Sequence, residues 1–127
     1  MKKNLDIQKN INSNIITLKD TEHFERDWFS GDIYIWKNQE KGFTALRITV
    51  NWKHPRKEMK WDTTRTYFVI SGSGTFTIDW QSKEVADGDF IIIQPWHRYE
   101  YQGKMILFEN NISATNSFKD ELIKVLL

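Results

Sequence analysis

Three histidines, His23, His54 and His97, and a complete absence of cysteine limit the metal and nucleophile chemistry open to this chain of 127 residues. His54 and His97 are candidates for a metal pair, but two imidazoles without a nearby carboxylate make an incomplete site. We therefore expect no metal and no cofactor, with His54 and His97 as the alternative. His97 is also the candidate for acid–base work, against a plainer role of donating to backbone or water. His23 lies in a polar stretch and reads as solvated. No Gly-x-Ser-x-Gly elbow, P-loop, dinucleotide fingerprint or zinc-finger spacing is present. Ser71 and Ser73 flank glycines, and Asp87 and Asp89 flank Gly88, where such side chains stabilise turns. What remains is period-two spacing. Arg65, Tyr67 and Val69 share one strand face, and Tyr99 and Tyr101 share another. A cleft lined by tyrosines suits a sugar or a planar acid, and an inward guanidinium needs a negative or strongly accepting partner. Arg47 shares a face with Phe43 and Ala45; it either turns inward as a further ligand contact or pairs on the surface.

The elements that would hold these residues are short strands. Residues 1–14 are rich in Asn, Lys and Ser and are expected to be an arm, mobile or ordered against a partner subunit. Residues 15–127 show no linker or repeat and form one domain. Asp20-Thr21 could cap a helical turn through His23 to Asp27. Ile33–Trp36 reads as a strand, and Phe43–Trp52 as another with Leu46, Ile48, Val50 and Trp52 facing the core. Lys53 to Lys60 reads as a charged, solvated loop. Tyr67–Ile70 is a strand ended by Ser71-Gly72-Ser73-Gly74. Thr75–Trp80 alternates, with Phe76, Ile78 and Trp80 inward. Phe90–Ile93 follows the Asp87-Gly88-Asp89 turn and reads as a strand buried on both faces. Arg98–Tyr101 and Met105–Phe108 read as two strands around Gln102-Gly103. In the tail, Phe118, Leu122, Val125 and Leu126 recur at helical spacing after a capping Asn116 or Ser117, which predicts a short C-terminal helix. Many short strands closing on themselves predict an all-β, jelly-roll barrel.

Composition narrows the partners. Lys and Arg number 18 against 17 Asp and Glu, so no basic excess exists to neutralise a phosphate backbone, and nucleic acid is not expected. The longest apolar run, Phe90–Ile93, is far too short to span a bilayer, and no membrane partner is expected. Lack of cysteine is compatible with a reducing compartment. Polar residues interrupt any apolar stretch after Met1-Lys2-Lys3, so we expect a cytoplasmic protein.

Residues 59–109, about two-fifths of the chain, resemble the cupin family. The resemblance runs through Tyr67–Ile78, with its Gly72-Ser73-Gly74, and through Val85-Ala86-Asp87-Gly88-Asp89-Phe90-Ile91-Ile92-Ile93-Gln94-Pro95. Many cupins hold a divalent metal with three His and one Glu, in the motifs G-x5-H-x-H-x3,4-E-x6-G and G-x5-P-x-G-x2-H. Anchored on Gly72 and Gly88, these motifs place Met59, Trp61, Arg65 and Tyr99 at the four ligand positions. Arg has no lone pair to give and would repel a divalent cation. The same position could instead attract a carboxylate or phosphate in a bidentate grip. The resemblance thus implies a cupin-like antiparallel jelly roll that binds a small polar or anionic metabolite without metal. The implied ligand contacts are Arg65, Tyr67, Tyr99, Tyr101 and Arg47, with Glu100 or Glu109 as an internal partner for Arg65. Sugar-modifying cupins work without metal, so a sugar or nucleotide-sugar epimerase or isomerase, with His97 or a Tyr–Glu pair as base, is the alternative. A third reading is a plugged barrel serving oligomer assembly. Cupins commonly pair, so a homodimer is expected.

Overall fold

The computed structural model describes residues 15–36 and 42–113. The expected N-terminal arm and C-terminal helix lie outside these residues. After a 3-10 turn at Leu18–Asp20 come eight strands: β1 (Glu22–Glu25), β2 (Phe29–Ile35), β3 (Phe43–Val50), β4 (Lys53–Glu58), β5 (Thr63–Ile78), β6 (Gln81–Ala86), β7 (Phe90–Ile93) and β8 (Arg98–Ser113). All pair antiparallel in one sheet of order β1-β2-β3-β8-β5-β6, with β4 added to β8 and β7 to β5. Among the described residues the order ends at β1 and β6, so hydrogen bonding does not close the sheet.

The scaffold is the long ribbon of β5 and β8, paired from Thr63↔Ser113 to Ile78↔Tyr99. The first half of β5 takes β7 as its other neighbour and the second half takes β6. Likewise β4 pairs the first part of β8 and β3 the remainder. The ribbon folds over at its middle. Tyr67 lies opposite Glu109 and Tyr99 opposite Ile78, yet the Tyr67 and Tyr99 hydroxyls are 2.8 Å apart.

Glycines make the fold-over possible. Gly74 is the register partner of Gly103, and a Cβ on Gly103 would sit 2.5 Å from the Gly74 Cα. Gly72 has φ +97°, and a Cβ there would meet the Lys104 carbonyl at 2.1 Å. A register shift between Val69 and Ser71 adds a residue to β5. Inward positions therefore switch from odd (Arg65, Tyr67, Val69) to even (Phe76), while β8 stays odd from Tyr99 to Ser113. The core fills the space between the two halves, with Ile33, Ile48, Tyr67, Val69, Ile93 and Leu107 at most 2 % exposed.

Several sequence expectations need correction. His23 to Glu25 belong to β1 rather than a helical turn, because β2 supplies their backbone partners. Phe24 faces Gly31 there, where a Cβ would lie 2.4 Å from the ring. Lys53–Glu58 is a strand paired to β8, not a loop; Lys53, Arg56 and Glu58 are exposed, while His54 turns inward and Lys57 is half-buried opposite Tyr99. The segments Ser71–Gly74 and Gln102-Gly103 are corners within continuous strands rather than turns that end them. β7 is buried on one face only: Ile91 and Ile93 point in, while Phe90 and Ile92 are 62 % and 47 % exposed. Trp52 and Trp80 also point outward. Trp52 lies beyond the end of β3. Trp80 sits in the β5–β6 turn at φ 72°, with the Arg56 guanidinium 4.1 Å above its ring.

Candidate functional site

β5 and β8 deliver four of the expected residues to one interior cluster. Arg65 and Tyr67 come from the first half of β5, and Tyr99 and Tyr101 from the first half of β8, all buried. The Arg65 Nη1 donates to the Tyr99 hydroxyl at 2.5 Å, and Nε donates to Asn111 Oδ1 at 2.5 Å. Glu109 Oε2 lies 3.5 Å from the same Nε. Asn111 uses its amide nitrogen to bind Glu109 at 2.8 Å and the Thr44 hydroxyl at 2.9 Å. Each member of this network has a stated partner, which is what lets a guanidinium and a carboxylate sit out of water. Of the two acids considered for Arg65, Glu109 is the partner. Glu100 lies on the opposite face of β8 and pairs with Arg56 at 3.7 Å.

His54 joins the cluster from β4. Its ring stacks on Tyr101 at 4.8 Å and on Tyr99 at 5.5 Å, with the Phe29 ring tilted against it at 5.5 Å. Nδ1 lies 2.7 Å from the Pro55 carbonyl. A carbonyl only accepts, so Nδ1 carries the proton and Nε2 keeps its lone pair. Burial, reinforced by the positive charge of Arg65, lowers the His54 pKa to about 4. Burial pushes all three tyrosines up, Tyr67 and Tyr101 well above the ordinary value; for Tyr99 it outweighs the opposing pull of Arg65. At neutral pH the cluster thus presents neutral hydroxyl donors and a neutral imidazole acceptor.

The other candidates are elsewhere. Arg47 is not part of the cluster: its side chain lies on the outer face of β3, opposite Phe108, and pairs with Asp32 at 3.8 Å. His97 is half-exposed, bonded through Nδ1 to Asp79, and lines a surface hollow of about 490 Å³ with Lys83 and Gln94. Asp79 also accepts from the Arg98 backbone at 3.0 Å, so it orients the ring. Of the four positions that correspond to cupin metal ligands, Met59, Arg65 and Tyr99 are interior and Trp61 is 58 % exposed. Among the described residues no group of three or more His, Cys, Asp or Glu is placed to hold a metal. Sequence reasoning missed the interior role of His54, and missed Asn111 and Thr44 altogether. The odd period of β8 carries on from Tyr99 to Asn111 and could have found Asn111.

No protein-family model and no curated protein matches the sequence. Solved structures do match. Streptomyces Pac13, described as a nucleoside dehydratase and solved with uridine, superposes with TM-score 0.71 at 20% identity, over 80% of this chain and 83% of that one. KdgF from a Halomonas species gives TM-score 0.72 at 6% identity, over 87% and 99%. An RmlC-like cupin from Shewanella frigidimarina gives TM-score 0.67 at 12% identity, over 86% and 96%. At these identities the likeness concerns the fold, and with the antiparallel β5–β8 scaffold it establishes that this chain is a protein of cupin-like fold.

Proposed function

We propose that this protein binds a small hydroxyl-bearing metabolite of the nucleoside class, without metal, against the cluster of His54, Arg65, Tyr67, Tyr99 and Tyr101. The observation that carries this reading is the convergence of stacked rings, tyrosine hydroxyls and an imidazole lone pair on one interior face. Ring faces suit a planar base, and paired donors and acceptors suit a sugar diol. A second observation supports it. Three Pac13 structures, each with uridine, carry single substitutions, one of a His and two of a Tyr. Those positions are separated by 13 and then 34 residues, the same intervals that separate His54, Tyr67 and Tyr101.

Calorimetric titration with uridine and the other nucleosides tests the reading. Binding should weaken at least about 10-fold in His54→Gln and in Tyr101→Phe, as expected for losing one hydrogen bond to a ligand. Absence of binding by every nucleoside at millimolar concentration overturns it. Dialysis against chelator should leave affinity unchanged; a loss restored by a divalent metal counts against metal independence.

A second reading places a reaction at the same cluster, dehydration or epimerisation of the bound sugar. It is favoured by His54 Nε2, an acceptor beside the Tyr99 and Tyr101 rings. A base with a pKa of about 4 removes only a proton already activated by a neighbouring carbonyl. Mass spectrometry of nucleosides incubated with enzyme would reveal loss of one water or exchange of a carbon-bound proton; neither occurring leaves a binding protein. We also propose a homodimer, supported by the exposed apolar row on β5 and β7.

A further inference from the structure

Among the described residues β6 and β7 follow one another in the chain but do not pair. β6 bonds to the second half of β5 and β7 to the first, so the two form an arch across the bend of the ribbon. The space inside the arch is a groove of two adjoining hollows, of about 490 and 330 Å³. Ile78, Gln81 and Lys83 line both.

The two ends differ in chemistry. Towards the Asp87-Gly88-Asp89 turn the walls include Phe76, Val85 and Ile91. Phe76 and Ile91 are 2 % and 6 % exposed, so this hollow reaches the edge of the core. Towards the turn between β7 and β8 the walls are Asp79, Ser82, Gln94 and His97. Gln94 Oε1 accepts from the Thr64 hydroxyl at 3.1 Å, which leaves its amide nitrogen to donate. Asp79 holds the His97 ring through Nδ1, so Nε2 is the nitrogen left for a ligand. Asp79 and Trp96, the residues that set His97 in place, have φ of 48° and 74°. A bulky side chain in that region is an outlier, and such strain gathers at binding sites.

Lys83 stands between the two ends. It is the register partner of the inward-facing Phe76, so it shares the groove face of β6 with Gln81 and Val85. Among the described residues it forms no ion pair. The acids around it are bonded elsewhere or solvated. Asp79 accepts from the His97 ring and from the Arg98 N–H at 3.0 Å, and Asp89 accepts from the Ala86 N–H at 2.7 Å. Glu84 is exposed, on the other face of β6 from Lys83.

An ammonium beside an apolar cleft is complementary to an acid with an apolar body. A bare carboxylate stays hydrated and gains little from an exposed lysine. A hydrocarbon alone buries area but leaves the lysine charge unmet. We propose that the groove inside the β6–β7 arch binds a small amphipathic carboxylate, an acyl or aryl acid. Its head group lies on Lys83 and Gln94, and its apolar body against Phe76, Ile78 and Val85. His97, when protonated, adds a third donor with Asp79 as its counter-charge. Phe76 separates this groove from the nucleoside cluster, its ring 4.7 Å from that of Tyr101. An inward lysine on an edge strand also discourages edge-to-edge pairing, but that role by itself predicts no acid binding.

The test titrates octanoate and its uncharged counterpart octanamide into nitrogen-labelled protein, followed through amide chemical shifts. Octanoate should shift the amides of β6 and β7 saturably below about 10 mM and bind about 5-fold more tightly than octanamide. Lys83→Gln lies at an exposed position, so it should fold normally and abolish that difference. Saturating uridine should leave the octanoate affinity unchanged, so this site stands or falls apart from the nucleoside reading. Absence of a saturable shift by about 10 mM overturns the proposal. Equal affinities for acid and amide, or a gap that persists in Lys83→Gln, also overturn it. So do competition by uridine and shifts that fall on His54 and Tyr101 instead.

Discussion

Glu109, Asn111 and Tyr99 help to satisfy the Arg65 guanidinium out of water. Arg65→Leu leaves Glu109 buried without its counter-ion, and about 3–5 kcal/mol of stability should be lost in urea denaturation. The double variant Arg65→Met with Glu109→Met should recover most of that loss, since apolar groups of similar volume need no partner. A single variant as stable as wild type would show that the pair is hydrated. His54 supplies a pH signature. Its pKa is near 6.5 unfolded and about 4 folded, so between these values the unfolded chain binds the extra proton. Stability from this group is complete above pH 6.5 and is lost as pH falls towards 4. The full loss is about 3 kcal/mol, from 1.36 kcal/mol per pKa unit. His54→Phe keeps a ring on the tyrosines and should show a smaller drop across that window. His23, raised by Glu25 and Asp32, contributes with the opposite sign and is untouched by the substitution. An identical pH profile in His54→Phe would mean that the imidazole is solvated.

At the scale of the elements, the corner of the β5–β8 ribbon carries the site, because it turns Tyr99 back over Tyr67. Gly103 and Gly88 both have positive φ, at +138° and +88°, but their surroundings differ. A Cβ on Gly103 meets the Gly74 Cα and the Ser73 carbonyl at 2.5 Å, whereas one on Gly88 meets nothing within 4 Å. Gly88→Ala should cost only the backbone strain, about 1 kcal/mol. Gly103→Ala should cost about 3 kcal/mol or more, since two backbones must also part. Chemical denaturation of both variants checks the ranking. Nearly equal losses would show that the corner yields easily and does not set the geometry of the cluster.

Seen as a whole molecule, the sheet leaves apolar side chains on its outer side. Phe68, Ile70, Phe90 and Ile92 are 43 % to 62 % exposed, and Phe68 is the register partner of both Phe90 and Phe108. A contiguous apolar row on a sheet face marks an interaction surface rather than ordinary surface scatter. If a second copy covers it, sedimentation equilibrium at micromolar concentration should give the dimer mass, and Phe90→Lys should shift the species towards monomer. A monomer mass for the unsubstituted chain would remove the homodimer from the account. No helix among the described residues is long and apolar enough to cross a membrane.

Alternation put Arg65 with Tyr67, and Tyr99 with Tyr101, on shared strand faces, because period two is a local property between bulges, and the cupin resemblance supplied the inward direction of those faces. The same parity separates Glu100, between two inward tyrosines, from Glu109, and so picks the partner of Arg65. The glycines at 72, 74 and 103 were legible as breaks but not as corners. A turn and a bend within a continuous strand use the same left-handed backbone freedom, and only pairing across the ribbon distinguishes them. His54 was hidden in a charged run, where a register shift between His54 and Lys57 spoils the alternation. Whether its ring would stack on Tyr99 and Tyr101 depended on β4 finding β8, a contact between residues more than 40 positions apart. The meeting of Tyr67 with Tyr99 was likewise decided by the folding-over of the ribbon. Such contacts are set by which surfaces can be buried together, and no local pattern of residues encodes them.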